Sequence, residues 1–226
     1  METLEKRIDR DGALAVAFDM DGLMFETESV YYKTAVELLG RRGFRYTQEL
    51  CDETMGRPPR YCFERYIELF HLPEDWKTLQ AESDEIFIRL LQDGYETTPG
   101  LAELFDELDR RRIPRCVCTS SASRVARKVL AKDKTIERLD FVLTSDDVTR
   151  GKPHPEVYLT AARRFGVDSS RVLVLEDSSA GCASACAAGS PCCMLRASHN
   201  FNADFSRAVE IVERLDAPEL LALLRD

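Results

Sequence analysis

The chain is short of positive charge: 31 lysines and arginines stand against 40 aspartates and glutamates, a formal net charge of -9 at pH 7. That balance opposes non-specific binding to nucleic acid or to an anionic membrane, so neither is an expected partner. Long apolar runs are also missing. No stretch approaches the ~20 residues that a membrane-spanning helix needs, and the segment from Met1 to Asp11 is charged rather than apolar, unlike a targeting peptide. The expected location is the cytoplasm. None of the eight cysteines stands in a CxxC pair, which argues against a thiolate metal site and for reduced, buried thiols in a reducing compartment. His71, His154 and His199 have no metal-ligand spacing and read as solvent-exposed or structural residues. The single tryptophan, Trp76, reads as a packing residue rather than a substrate platform. Repeats and low-complexity tracts are absent. The 226 residues suffice for one full core plus a small second domain, and a monomer is expected.

What is present begins with Ala13 to Phe18, six apolar residues that read as a strand buried on both faces, followed at once by Asp19-Met20-Asp21-Gly22. Helical periodicity then takes over. Thr27 to Leu39 forms a stripe that Gly40 is expected to close, a second helix is expected from Arg60 to Phe70 after Arg57-Pro58-Pro59, and a third from Glu74 to Leu91. The Gly94 to Gly100 stretch marks a connection. Beyond it helices and strands alternate, with strands expected at 115–118, 141–143, 172–175, 192–195 and 209–212, and helices at 101–112, 123–130, 155–165, 179–188 and 218–224. Such alternation implies right-handed crossovers and a parallel sheet covered on both faces. The expected fold class is α/β, a Rossmann-like three-layer α/β/α core from residues 1–25 and 95–226, with an all-α cap domain, 26–94, inserted after the first strand.

A parallel sheet brings the C-terminal ends of its strands to one edge, where ligands bind. Four polar clusters fall there: Asp19-Met20-Asp21, Thr119-Ser120-Ser121, Gly151-Lys152-Pro153-His154-Pro155 and Glu176-Asp177-Ser178-Ser179-Ala180-Gly181. Asp19, Asp21, Glu176 and Asp177 put four carboxylates in one crevice, and each close like-charge pair costs about 4 kcal/mol at an effective dielectric of ~20. Lys152 alone cannot offset that. A hard divalent cation with oxygen ligands can, and Mg2+ fits because it tolerates a few carboxylates and keeps positions open for substrate oxygens. The expected anionic ligand is a phosphate, with Thr119 and Ser120 offering hydroxyl and backbone N–H groups and Lys152 a point charge. Each motif also has a plainer reading. Lys152 could be a turn lysine, and Thr119-Ser120-Ser121 could only cap the next helix.

In order and content these clusters, with the helical insertion after the first, resemble the haloacid dehalogenase superfamily over nearly the whole chain. Phe18-Asp19-Met20-Asp21-Gly22, Gly151-Lys152-Pro153 with Pro155, and Glu176-Asp177-Ser178 with Ala180-Gly181 are similar to the beta-phosphoglucomutase-like branch with a small helical cap. The resemblance implies that Asp19 is a nucleophile forming an aspartyl phosphate, Asp21 the acid and base, Thr119 a phosphoryl ligand, Lys152 the charge stabiliser and Asp177 a metal ligand that Glu176 assists. It implies a Mg2+-dependent phosphatase of a small phosphorylated metabolite. A sugar-phosphate mutase and a non-catalytic phosphometabolite-binding protein are the alternatives. Mutases of this branch carry a cap histidine a dozen residues after the nucleophile, where this chain has Tyr31, and an arginine three residues after a cap glycine matching Gly56, where it has Pro59. Hydrolysis is therefore expected over isomerisation. Selectivity is expected from the cap, with Arg57 and Arg60 as substrate contacts. The loop from Phe201 to Phe205 is assigned no role.

Overall fold

The computed structural model describes residues 14–54, 57–200 and 203–224; Ala13, Gly56, Phe201 and Asn202, which figure in the expectations above, lie outside them. The chain divides into two compact units at Phe25/Glu26 and Glu96/Thr97.

The first unit is built on six parallel strands, β1 (Ala15–Phe18), β4 (Arg115–Cys118), β5 (Phe141–Leu143), β6 (Val172–Glu176), β7 (Cys192–Leu195) and β8 (Glu210–Val212). Their order in the sheet is β5-β4-β1-β6-β7-β8. The apolar run of β1 follows from its place. It pairs with β4 on one side, Ala17 opposite Cys116, and with β6 on the other, Ala17 opposite Val174, so it has neither a wet face nor a free edge. Alternation along the strand sends Ala15 and Ala17 into a cluster with Val157, Tyr158 and Ala161 of α7 (Glu156–Phe165) and Cys182 and Ala185 of α8 (Ser179–Ala188). Phe18 faces the opposite way and meets Phe105 of α5 (Leu101–Arg111) edge-on, ring centroids 5.3 Å apart. Cys116, Cys118, Cys182 and Cys192 are core residues, and all eight cysteines are free thiols. Two further helices, α6 (Ser123–Leu130) and α9 (Pro218–Leu221), complete the unit.

The second unit is helical: α1 (Glu28–Gly40), α2 (Gln48–Thr54), α3 (Pro59–Phe70) and α4 (Trp76–Leu90). Leu38, Leu39, Leu50, Phe63, Tyr66, Leu79 and Ile86 form its core, with Trp76 packed against it. Two short strands, β2 (Phe25–Glu26) and β3 (Glu96–Thr97), pair where the chain passes between units. Gly40 is the last residue of α1, as expected, but the left-handed turn falls later, at Gly43 with φ 78°. The α2 helix was not expected, because seven residues carrying Leu50 and Cys51 as their buried apolar positions make no stripe; its trace in the sequence is Thr47, whose hydroxyl accepts from the Leu50 amide at 3.3 Å. Among the described residues no helix is long and apolar enough to cross a membrane.

Candidate active site

The β1 strand ends at Phe18, and the amide of Asp19 still continues the ladder by donating to the Leu175 carbonyl at 2.9 Å. Asp19 is therefore fixed to the sheet by its backbone, with a side chain that is 12% exposed. Three residues on, Gly22 turns the chain at φ 81°, a conformation in which glycine has no Cβ penalty. Glu176 is the last residue of β6 and Asp177 follows it. The strand alternation sends Glu176 inward, where it is fully buried.

Lys152 joins these groups. All three protons of its ammonium are donated, to Asp19 Oδ1 at 2.5 Å, Glu176 Oε1 at 2.6 Å and the Cys118 carbonyl at 2.8 Å. The surface-lysine reading fails, since the side chain is 6% exposed. Glu176 is saturated in turn. Its Oε1 also accepts from the Tyr158 hydroxyl at 2.7 Å, and its Oε2 accepts from the Ser178 hydroxyl at 3.0 Å and the Asp177 amide at 3.2 Å. Gly181 passes so close that a Cβ there would collide with the Glu176 carboxylate, which explains a glycine in the first turn of α8.

Ligand atoms of Asp19, Glu176 and Asp177 all lie within 4.8 Å of one another. Burial raises the carboxyls of Asp19 and Asp177 well above the usual range; Lys152 opposes this in both, and the neighbouring carboxylates reinforce it. Burial also works against the charge of Lys152, but Asp19 and Glu176 outweigh it and hold the ammonium above its ordinary value. Three acids thus share one cation. The shortfall and the all-oxygen donor set fit a hard divalent ion held by Asp19 and Asp177 with Glu176 beside them.

Asp21 stands apart from that cluster. Its Oδ2 accepts from the Ser121 hydroxyl at 2.8 Å. Thr119 is buried at the end of β4, its amide donating to the Leu143 carbonyl at 2.9 Å and its hydroxyl accepting from the Ser121 amide at 3.0 Å. The helix-cap reading of Thr119-Ser120-Ser121 fails: α6 follows Ala122, and the Ser123 amide is taken by Asp146 at 3.0 Å. Ser120 is half-buried in the same turn. Arg57 and Arg60 belong to the helical unit and engage neighbours there: Arg57 lies over the Tyr61 ring at 5.5 Å, and Arg60 lies over Trp76 at 5.5 Å and pairs with Glu64 at 2.7 Å.

Sequence reasoning missed three groups. Tyr158 had no motif to mark it. His199 is no surface residue: its Nε2 lies 2.8 Å from Asp177 Oδ2 with 17% of the side chain exposed. Asn200 donates to the carbonyls of Asp177 at 3.0 Å and Leu195 at 2.8 Å. No spacing rule reaches His199 and Asn200, because the loop after β7 brings them to the end of β6.

The family model described as haloacid dehalogenase-like hydrolase matches residues 16–195. A phosphorylated carbohydrates phosphatase of Thermotoga maritima is 30% identical over 77% of this chain and 81% of its own length. A fructose-1-phosphate phosphatase of Escherichia coli is 33% identical over 76% of this chain and 90% of its own. The crystal structure of beta-phosphoglucomutase from Clostridium difficile superposes with a TM-score of 0.76 over 93% of this chain and 96% of that one, at 19% identity, a likeness of fold alone.

Proposed function

This chain belongs to the haloacid dehalogenase-like hydrolase family and is a phosphoric monoester hydrolase, and we propose that it is a Mg2+-dependent phosphatase of small phosphorylated carbohydrates or polyols working through an aspartyl phosphate on Asp19. The observation that carries the reading is the Asp19–Lys152–Glu176 triad beside Asp177, a nucleophile-bearing carboxylate fixed at a strand end and short of positive charge. Asp19 and Asp177, with Asp21 nearby and Glu176 beside them, would hold the Mg2+, which when bound offsets the repulsion between the carboxylates and an incoming phosphate.

The protein groups then divide the work. Lys152 steadies Asp19 and places positive charge where the phosphoryl oxygens gather. The free Asp19 oxygen attacks phosphorus as the bond to the leaving oxygen breaks, and Asp21, oriented by Ser121, gives that oxygen a proton. Asp21 next takes a proton from water, the water oxygen bonds to phosphorus, and Asp19 leaves as a carboxylate. Thr119 and Ser120 supply donors to the phosphoryl oxygens. Substrate choice is assigned to the helical unit, with Arg57 and Arg60 as the first residues to vary. The names of the relatives support the carbohydrate class, one being a phosphorylated carbohydrates phosphatase and the other a fructose-1-phosphate phosphatase.

Turnover of p-nitrophenyl phosphate tests the mechanism. Activity should require Mg2+, vanish with chelator and fall by at least ~10^3-fold in Asp19→Asn, the scale of losing a residue on which the chemistry depends. Activity indifferent to chelation or to Asp19→Asn would overturn the mechanism, and inactivity on every phosphoester would favour a phosphometabolite-binding protein.

A further inference from the structure

We propose that His199 is a positioning residue for Asp177, holding one of its carboxylate oxygens so that the aspartate meets the divalent cation in a single rotamer; this rests on Asp177 being a ligand of that cation. Three contacts carry it. The imidazole Nε2 lies 2.8 Å from Asp177 Oδ2, with both side chains largely buried, 17% and 10% exposed. Asn200 ties the same loop to the sheet edge. Its amide nitrogen reaches the main-chain carbonyls of Asp177 at 3.0 Å and Leu195 at 2.8 Å, and its Oδ1 accepts from the Ala197 amide at 2.9 Å.

The loop after β7 is thereby anchored to the ends of two strands, and His199 is presented from a fixed backbone rather than from a free tail. An aspartate that must freeze on binding a cation loses side-chain entropy at that moment. One already frozen does not, so the imidazole raises the affinity of the site without touching substrate. Hydrogen bonds from such outer partners to ligating carboxylates are worth about 10- to 100-fold in metal affinity when removed.

Mg2+ titration calorimetry on the substrate-free protein reads this directly. His199→Ala should weaken Mg2+ binding by about 10- to 100-fold, and Mg2+ at saturating concentration should recover most of kcat. His199→Gln places an amide N–H near the position of Nε2 and should keep the affinity, whereas His199→Asn places it near Nδ1, falls short, and should lose it. Because Asn and Gln differ by one methylene, that contrast serves even if the alanine variant does not fold. Equal Mg2+ affinity in the wild type, His199→Asn and His199→Gln would overturn the positioning role while leaving Asp177 as a ligand. A 14N coupling from the imidazole in the electron spin echo of bound Mn2+ would overturn it in favour of direct ligation. No Mg2+ binding by the wild type would contradict the metal reading itself.

Discussion

Lys152 shows why single residues in this site cannot be exchanged for similar ones. Its three donors are matched to three acceptors, two of them carboxylates, inside a core that admits almost no water. Removing the ammonium leaves Asp19 and Glu176 as buried acids without a counter-charge, and breaking such a pair costs about 3–5 kcal/mol. Lys152→Met keeps the stem's volume and removes the charge, so it should destabilise the metal-free protein by about that much in urea unfolding and abolish turnover. A Lys152→Met protein as stable as the wild type would mean that the carboxylates are satisfied some other way. At this scale the sequence was informative where a polar cluster follows a strand or a turn. Asp19, Lys152, Glu176 and Asp177 each sit beside a glycine, proline or strand end that marks a turn, and the structure brings the four together. Tyr158 and His199 were illegible because neither the turn of a helix nor the path of a loop to a strand end leaves a periodic signal.

Elements are set by where glycine is required and where it is incidental. At Gly181 in α8 a Cβ would strike the Glu176 carboxylate, so Gly181→Ala must push aside the group that holds Lys152. A Cβ added at Gly40, the last residue of α1, would meet nothing within 4 Å, and the residue has no positive φ, so alanine there should gain part of the ~1 kcal/mol that a glycine costs inside a helix. Thermal melts should therefore move in opposite directions, Gly40→Ala up by a few degrees and Gly181→Ala down, with activity lost only in the second. If Gly181→Ala melts and turns over like the wild type, the close packing of α8 on Glu176 is not needed. Gly40 also shows how a helix end misleads: glycine marks the C-terminus of α1, but the residue in the left-handed conformation is Gly43, three positions on. The strands of the core were the most legible elements, since an apolar run between turn signals admits few other readings. The short α2 helix, with a cap and no stripe, was the least.

For the molecule as a whole, the break in helix–strand alternation between residues 26 and 96 is what separates the two units, and it is visible in the sequence because the insertion lacks any strand-like run. We expect the choice between hydrolysis and isomerisation to rest on that insertion. A mutase must keep water from the aspartyl phosphate and hold a second phosphate with cations. Tyr31, whose ring lies 4.3 Å from that of Phe87, and Pro59 at the start of α3 supply none. With beta-glucose 1-phosphate, Mg2+ and a trace of the 1,6-bisphosphate, free phosphate should appear rather than glucose 6-phosphate. Rapid formation of glucose 6-phosphate without phosphate release would identify a mutase instead.

The covalent step is open to direct test. Protein turning over a phosphomonoester with Mg2+ is quenched in acid, digested, and mapped by mass spectrometry. Phosphate should be found on the peptide carrying Asp19, labile to hydroxylamine and absent from Asp19→Asn. Full turnover with no phosphate on that peptide at any quench time, or with phosphate on another residue, would contradict nucleophilic catalysis by Asp19.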